Sequence, residues 1–269
     1  MTGLSKSKFN AFNADLSNRS TFDLIEVPKK SIEIVENLSA IDVIKKAQGG
    51  TNHIIQRDCI DFDAELRTAQ LMVDSPKSFL RDPIGSLFLE PIKDLSVYSA
   101  KFESTEKKHQ LLEDLDQFIS TLAKPRGLFL PATLIADELF TNAAKNSWAQ
   151  DQIPFADKPT RPGKMEFIFA ASETRLLIGC RDTFGQLPIK HLLNRIYTCL
   201  DSGIAKSIQK KTWGAGIGTS FIFDASMSFY AAVEPGRQTL VCASIAVGLG
   251  RRKSDLLAKN VHLLEALST

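Results

Sequence analysis

Histidine and cysteine are few and scattered in this sequence. The four histidines and four cysteines (Cys59, Cys180, Cys199 and Cys242) share no short spacing and form no CxxC. A zinc or iron–sulfur centre is therefore not expected, and the cysteines read as reduced thiols. No run of about eighteen apolar residues occurs, so no membrane-spanning helix is expected. The first twenty residues, "MTGLSKSKFNAFNADLSNRS", have no apolar core. A secretory signal is not expected there, and the expected location is cytoplasmic. Charge of one sign is also missing: 33 basic and 31 acidic residues leave a net +2, too little for a field that attracts nucleic acid. What remains is 269 residues, 43% hydrophobic and 24% charged, the composition of a soluble globular chain long enough for two domains.

The pattern along the chain divides it. Residues 1–20, rich in Ser, Asn and Lys, are expected to be a flexible tail. Within 21–104, "SAIDVIKKAQ" reads as a short amphipathic helix ended by "GG". "TNHIIQ", "FDAELRTAQLMV", "IGSLFLEPI" and "LSVYSAKFES" read as short strands between turn signals. This predicts a small β-barrel-like regulatory domain. From about Thr105 the period becomes helical, with Leu111, Leu115, Phe118 and Leu122 on one face. Pro131 suits the first turn of a second helix. A polar, proline-rich loop (151–163) follows, then strands "KMEFIFAAS" and "TRLLIGCRD" and a helical "LPIKHLLNRIYTCLDSG". "WGAGIGTSFIFDASMS" is a glycine turn opening another helix, and "FYAAVEPGRQTLVCASIAV" is a hairpin. The final "SDLLAKNVHLLEAL" reads as an amphipathic helix. No internal repeat appears, and the fold class is α+β.

Three groups of residues could carry chemistry. Glycines 214, 216 and 218 open a helix, where backbone N–H groups can approach phosphate oxygens. A P-loop needs a lysine that "GAGIGTS" lacks, and a Rossmann turn needs a buried strand where "SIQKKTW" stands. A phosphate turn after a basic segment, or a tight packing turn, remain. Asp182 ends a strand and Gly185 follows in a turn. Asp182 could accept a hydrogen bond from an exocyclic amine, or simply close an Asx turn. Glu138 and Asn142, one helical turn apart, project together. They suit a hard cation and a proton acceptor, or a hydrogen bond on a solvated face.

The order of these elements resembles the GHKL (Bergerat-fold) ATPase superfamily, which includes gyrase, histidine kinases and anti-sigma-factor serine kinases. The superfamily's E-x-x-x-N helix, D-x-G-x-G strand end and G-x-G-x-G turn after a lid correspond to "ELFTN", "DTFGQ" and "GAGIG". "PGRQT" resembles its final hairpin, with Thr239 at the threonine position. The resemblance spans about Thr105 to Gly248. One departure stands out: Phe184 and Gln186 occupy the two glycine positions after Asp182, and Gly185 lies between them.

The resemblance implies a histidine-kinase-like ATPase domain over 105–269. Its mixed, mainly antiparallel sheet would be covered by helices on one face. It implies ATP and Mg²⁺ as ligands, Glu138 as catalytic base and Asn142 as the magnesium ligand. Lys145 and Asn146 would lie at the phosphate end. Asp182, Gly185, Gly214, Gly216, Gly218 and Thr239 would contact the nucleotide. Residues 187–213, with Lys210 and Lys211, would form the lid. The 21–104 unit resembles, in hydrophobic pattern only, the split barrel that precedes PilZ domains. The arginine-rich motif for cyclic di-GMP is absent, so that ligand is not expected. His109 lacks the flanking residues of a phosphoacceptor histidine, which leaves anti-sigma-factor serine kinases as the nearest layout. The implied function is a serine/threonine protein kinase in a bacterial-type signalling partner switch. The alternatives are a nucleotide-gated binding module with little turnover and a structural domain with no nucleotide. A protein partner, as substrate or regulator, and a homodimer are both compatible with these readings.

Overall fold

The computed structural model describes residues 31–88, 95–102, 105–125, 127–148, 165–203, 218–249 and 257–266. The expected tail (1–20) and proline-rich loop (151–163) lie outside these residues.

Among the described residues eight strands form one open sheet. In chain order the first elements are β1 (Ile32–Val35), α1 (Ala40–Gln48), β2 (His53–Gln56), α2 (Phe62–Asp74), α3 (Pro76–Arg81), α4 (Pro83–Leu87) and β3 (Ser96–Phe102). Then come α5 (Lys108–Ser120), α6 (Phe129–Trp148), β4 (Met165–Ala171), β5 (Arg175–Asp182), α7 (Ile189–Ser202), α8 (Gly218–Ala225), β6 (Ser228–Glu234), β7 (Gln238–Ala246) and β8 (Asn260–Glu265). The strand order is β1-β2-β8-β6-β7-β5-β4-β3. Only β1/β2 and β6/β8 pair in parallel; the other five pairings are antiparallel. The expected mixed, mainly antiparallel sheet is therefore present. Among the described residues no helix is long and apolar enough to cross a membrane.

Local chemistry explains the elements read in advance. In α1 the Ser39 side chain accepts the Asp42 N–H, Gly49 follows the last turn, and Val43, Ile44 and Ala47 are buried. In α6, Pro131 falls in the first turn, where its missing N–H costs nothing. Three phenylalanines lock α6 to the sheet: Phe140 stacks on Phe167 at 5.7 Å, and Phe102 meets both edge-on. Lys108 of α5 pairs with Asp137 of α6 at 2.6 Å.

Three expectations are corrected. The described part of 21–104 forms no barrel: residues 62–87 are mostly helical, and β1, β2 and β3 belong to the common sheet. "FDAELRTAQLMV" is the helix α2, not a strand. Its buried face is Glu65, Thr68, Ala69 and Met72, spaced i, i+3, i+4, i+7. Two of those four are polar, so apolar periodicity does not display the helix. "IGSLFLEPI" likewise begins in the short helix α4. The C-terminal segment is the strand β8 rather than a helix. It lies inside the sheet, parallel to β6 and antiparallel to β2. Val261 and Leu263 face one core and Leu264 the other, and Asn260 and His262 are buried as well, so the strand lacks the in–out alternation of a half-exposed one.

Helices also cover both faces of the sheet, not one. The larger core holds residues of α1, α5, α6, α7 and α8 against Phe167, Ile178, Phe229 and Ala243. The second packs Met72, Phe79, Leu80 and Leu87 against Leu177, Tyr230, Leu240 and Cys242. That outer layer is pinned by charge. Glu65 is fully buried and accepts hydrogen bonds from Ser228 (2.8 Å) and Tyr230 (2.7 Å). His262 Nε2 lies 3.0 Å and Arg175 Nη1 3.7 Å from its carboxylate. Arg175 also donates to the Leu87 carbonyl and covers the Phe88 ring at 4.5 Å. Arg181 donates to the Leu80 and Arg81 carbonyls, both at 3.1 Å, and pairs with Glu166.

Burial opposes the charge on Glu65, yet His262, Arg175 and Tyr230 together hold its pKa below the ordinary 4.5. A depressed carboxylate contributes stability that is present above about pH 4.5 and is lost as pH falls through the folded-state pKa. Glu65→Ala strands Arg175 in an apolar layer. It should cost about 3–5 kcal/mol in urea unfolding at neutral pH, with a smaller deficit in acid. An unchanged midpoint would remove the network from the forces that hold α2–α4.

Candidate functional site

A cavity of about 190 Å³ opens where α6, α7 and α8 meet the ends of β5 and β7. Its walls are apolar: Leu139, Leu192, Ile222 and Val241 contribute. Three polar residues singled out from the sequence line it together: Asn142, Asp182 and Thr239. Register does much of this. Asp182 ends β5 and is the direct cross-strand neighbour of Thr239 on β7. Opposed residues of adjacent strands put their side chains on the same face.

Asp182 is 4% exposed. Its Oδ1 accepts the Phe184 N–H at 2.9 Å. The Asx-turn reading is thus correct as local structure, and the same carboxylate also borders the cavity. Burial raises its pKa above the ordinary 3.8, against the Phe184 and Gly185 amides and Thr239, which pull it down. Thr239 is 2% exposed, and its hydroxyl faces this carboxylate without closing a well-angled hydrogen bond. A buried hydroxyl without a well-formed partner, beside a buried carboxylate that lines the cavity, can receive a ligand with a hydrogen-bonding edge. Cys180 also lines the cavity; burial pushes its thiol well above 9.0, which suppresses thiolate chemistry.

Asn142 is half-buried on α6, above Leu139 and Ala143. Glu138, one turn earlier, does not line the cavity. Its carboxylate lies against Gly218, the first residue of α8, where any Cβ would overlap it. A carboxylate at a helix N-terminus is favoured by the dipole and the free amides there. Ile135, Ala136 and Phe140 face the core, and α6 gives the cavity one polar side chain, Asn142, between Leu139 and Ala143.

The remaining candidates sit elsewhere. Gly185 has φ +62, a conformation that favours glycine. Its carbonyl accepts the Gly236 N–H at 3.1 Å, and a Cβ would overlap the Glu234 carbonyl. It locks the turn after β5 onto the β6–β7 turn. Lys145 and Asn146 are on the last turns of α6, and their side chains lie outside the described residues. Gly214 and Gly216, with Lys210 and Lys211, also lie outside them. Of the expected lid, 187–213, residues 189–202 are helix α7, with Leu192, Leu193 and Ile196 buried. That part is packed structure rather than a lid, because its apolar stripe has a core to join.

Three cavity residues were missed: Thr219, His191 and Arg195. Thr219 follows a glycine already singled out. The i,i+4 spacing of His191 and Arg195 in "KHLLNR" was the available signal. Compared with known protein families the chain matches none, and no curated protein matches it.

Gly185→Ala should destabilise the fold by at least about 1–2 kcal/mol, the cost of a left-handed residue with a Cβ, with the clash added. Thermal unfolding equal to the parent would mean that the two turns are not locked together.

Proposed function

We propose that this chain is an ATP-binding protein of the GHKL type. One observation carries the reading. Asp182, Thr239 and Asn142, the residues the resemblance assigns to the base and the magnesium ion, come from β5, β7 and α6 and border one cavity. The cavity is smaller than the roughly 300–1,000 Å³ of drug-sized sites, which suits one flat ring system with the rest of the ligand outside. A buried carboxylate beside a buried hydroxyl matches the donor and acceptor edge of adenine.

The resident ion of this reading is Mg²⁺. Such an ion takes one or two protein ligands and completes its shell with phosphates and water. Among the described residues no cluster of three His, Cys, Asp or Glu could hold a metal ion. A single amide on the cavity, Asn142, fits that mode, and bound Mg²⁺ would neutralise phosphate charge. Lys145, Asn146, Gly214 and Gly216 belong to the phosphate end by resemblance. Glu138 would take the proton of the attacking hydroxyl. The output in this reading is phosphorylation of a serine or threonine on a protein partner. A second reading, a nucleotide-gated binding module, draws on the placement of Glu138 against Gly218 rather than on the cavity.

ATP with Mg²⁺ should raise the melting temperature more than GTP does, because ligand binding to the folded state stabilises it by mass action. Asp182→Asn keeps an oxygen for the Phe184 N–H and removes a buried charge. A raised folded pKa means that ionised Asp182 costs stability as pH rises through that pKa. The variant should be at least as stable as the parent at neutral pH and lose about 1–3 kcal/mol of ATP affinity. Calorimetric titration showing parental affinity would take Asp182 out of the site.

Glu138→Gln separates the two readings. In a kinase or ATPase it should leave ATP binding nearly intact and slow phosphotransfer or phosphate release by about 10²-fold or more. Turnover that is negligible in the parent and unchanged in the variant would favour the gated module.

A further inference from the structure

The α7 side of the cavity carries Arg195 and His191. Leu187 and Pro188 line the cavity and lead directly into α7. Among the described residues no side chain caps this helix start, and its first turn holds no acidic residue. First-turn amides lack intrahelical partners and carry the positive end of the dipole. His191 and Arg195 stand one turn apart on α7, and both border the cavity and are exposed. Neither side chain has an ion pair or hydrogen bond among the described residues. Deeper in the same cavity, the buried Thr239 hydroxyl has no well-formed partner. A ligand that satisfies the whole cavity therefore has a flat polar group inside and an anionic group at the α7 rim.

We propose that the start of α7, with His191 and Arg195, binds a phosphate group of the nucleotide whose base fills the cavity. This rests on the nucleotide reading above and adds to it. Asn142, which would hold Mg²⁺, stands on α6, whereas this contact comes from α7; α8 packs against both helices. An arginine can hold two phosphate oxygens in a fork, and an uncapped helix start offers amides to a third. Because the rim is exposed, the contact should be sensitive to salt.

The test is calorimetric titration of the full chain with adenosine, AMP and ATP at two salt concentrations. The parent should bind AMP and ATP more tightly than adenosine, and this advantage should shrink as salt rises. Arg195→Gln should weaken AMP and ATP by roughly ten- to a hundredfold, flatten their salt dependence and leave adenosine unchanged. Arg195→Lys should retain part of the advantage, and His191→Gln should weaken AMP and ATP to a lesser extent. Adenosine binding serves as the control for folding. Parental ATP affinity in both Arg195→Gln and His191→Gln overturns the phosphate contact and leaves the nucleotide reading standing. Equal loss of adenosine and ATP in Arg195→Gln shows that Arg195 shapes the pocket and overturns the contact as well. If the parent binds none of the three compounds, the nucleotide reading falls and takes the contact with it.

Discussion

Strand β5 is buried on both faces, and its two-residue alternation governs the rest of the molecule. Leu176, Ile178 and Cys180 point toward the larger core, and Asp182 continues that face into the cavity. Arg175, Leu177 and Arg181 point the other way, where the arginines hold the carbonyl ends of α3 and α4. A slip of one residue would turn the cavity carboxylate into the outer layer and the arginines into the core. Each side therefore fixes the other. The charge network around Glu65 specifies the register that sets Asp182 beside Thr239.

The residues before the E-x-x-x-N helix are bound up with this arrangement. β1 and β2 extend the sheet through β8, and β3 closes the opposite edge on β4. Helix α1 packs on α7, and Gln48 donates to Asn194 at 2.8 Å. Asn194 adjoins Arg195, which borders the cavity. The route from the N-terminal segment to the cavity rim is thus one helix–helix contact long. Displacement of α1 would act first on the α7 wall, because Asp182 is held by the sheet and α7 by side-chain packing.

Legibility in the sequence followed burial symmetry. Elements with one apolar face, such as α1, α5 and α7, announce themselves through their period. The β4–β5 and β6–β7 hairpins are marked by turn residues between β-rich runs. Two elements defeat this logic for opposite reasons. The buried face of α2 is half polar because Glu65 and Thr68 satisfy partners in the outer layer. β8 is buried on both faces, polar Asn260 and His262 included, because it lies inside the sheet, so it shows no alternation of apolar and polar residues. The site was legible where side chains converge through backbone pairing, as Asp182 and Thr239 do. His191 and Arg195 are rim residues whose significance depends on α7 being placed beside the cavity, which no local pattern specifies.

Glu138 shows how two chemical roles can compete for one side chain. Its carboxylate rests against the first residue of α8, where the helix dipole favours a negative charge by about 0.3–1 kcal/mol. The seat exists only because residue 218 is glycine. A base for an attacking hydroxyl must instead face the cavity, where Asn142 stands one turn further along α6. For Glu138 to serve as a base, the start of α8 must shift or the side chain must change rotamer, and either step gives up the seat.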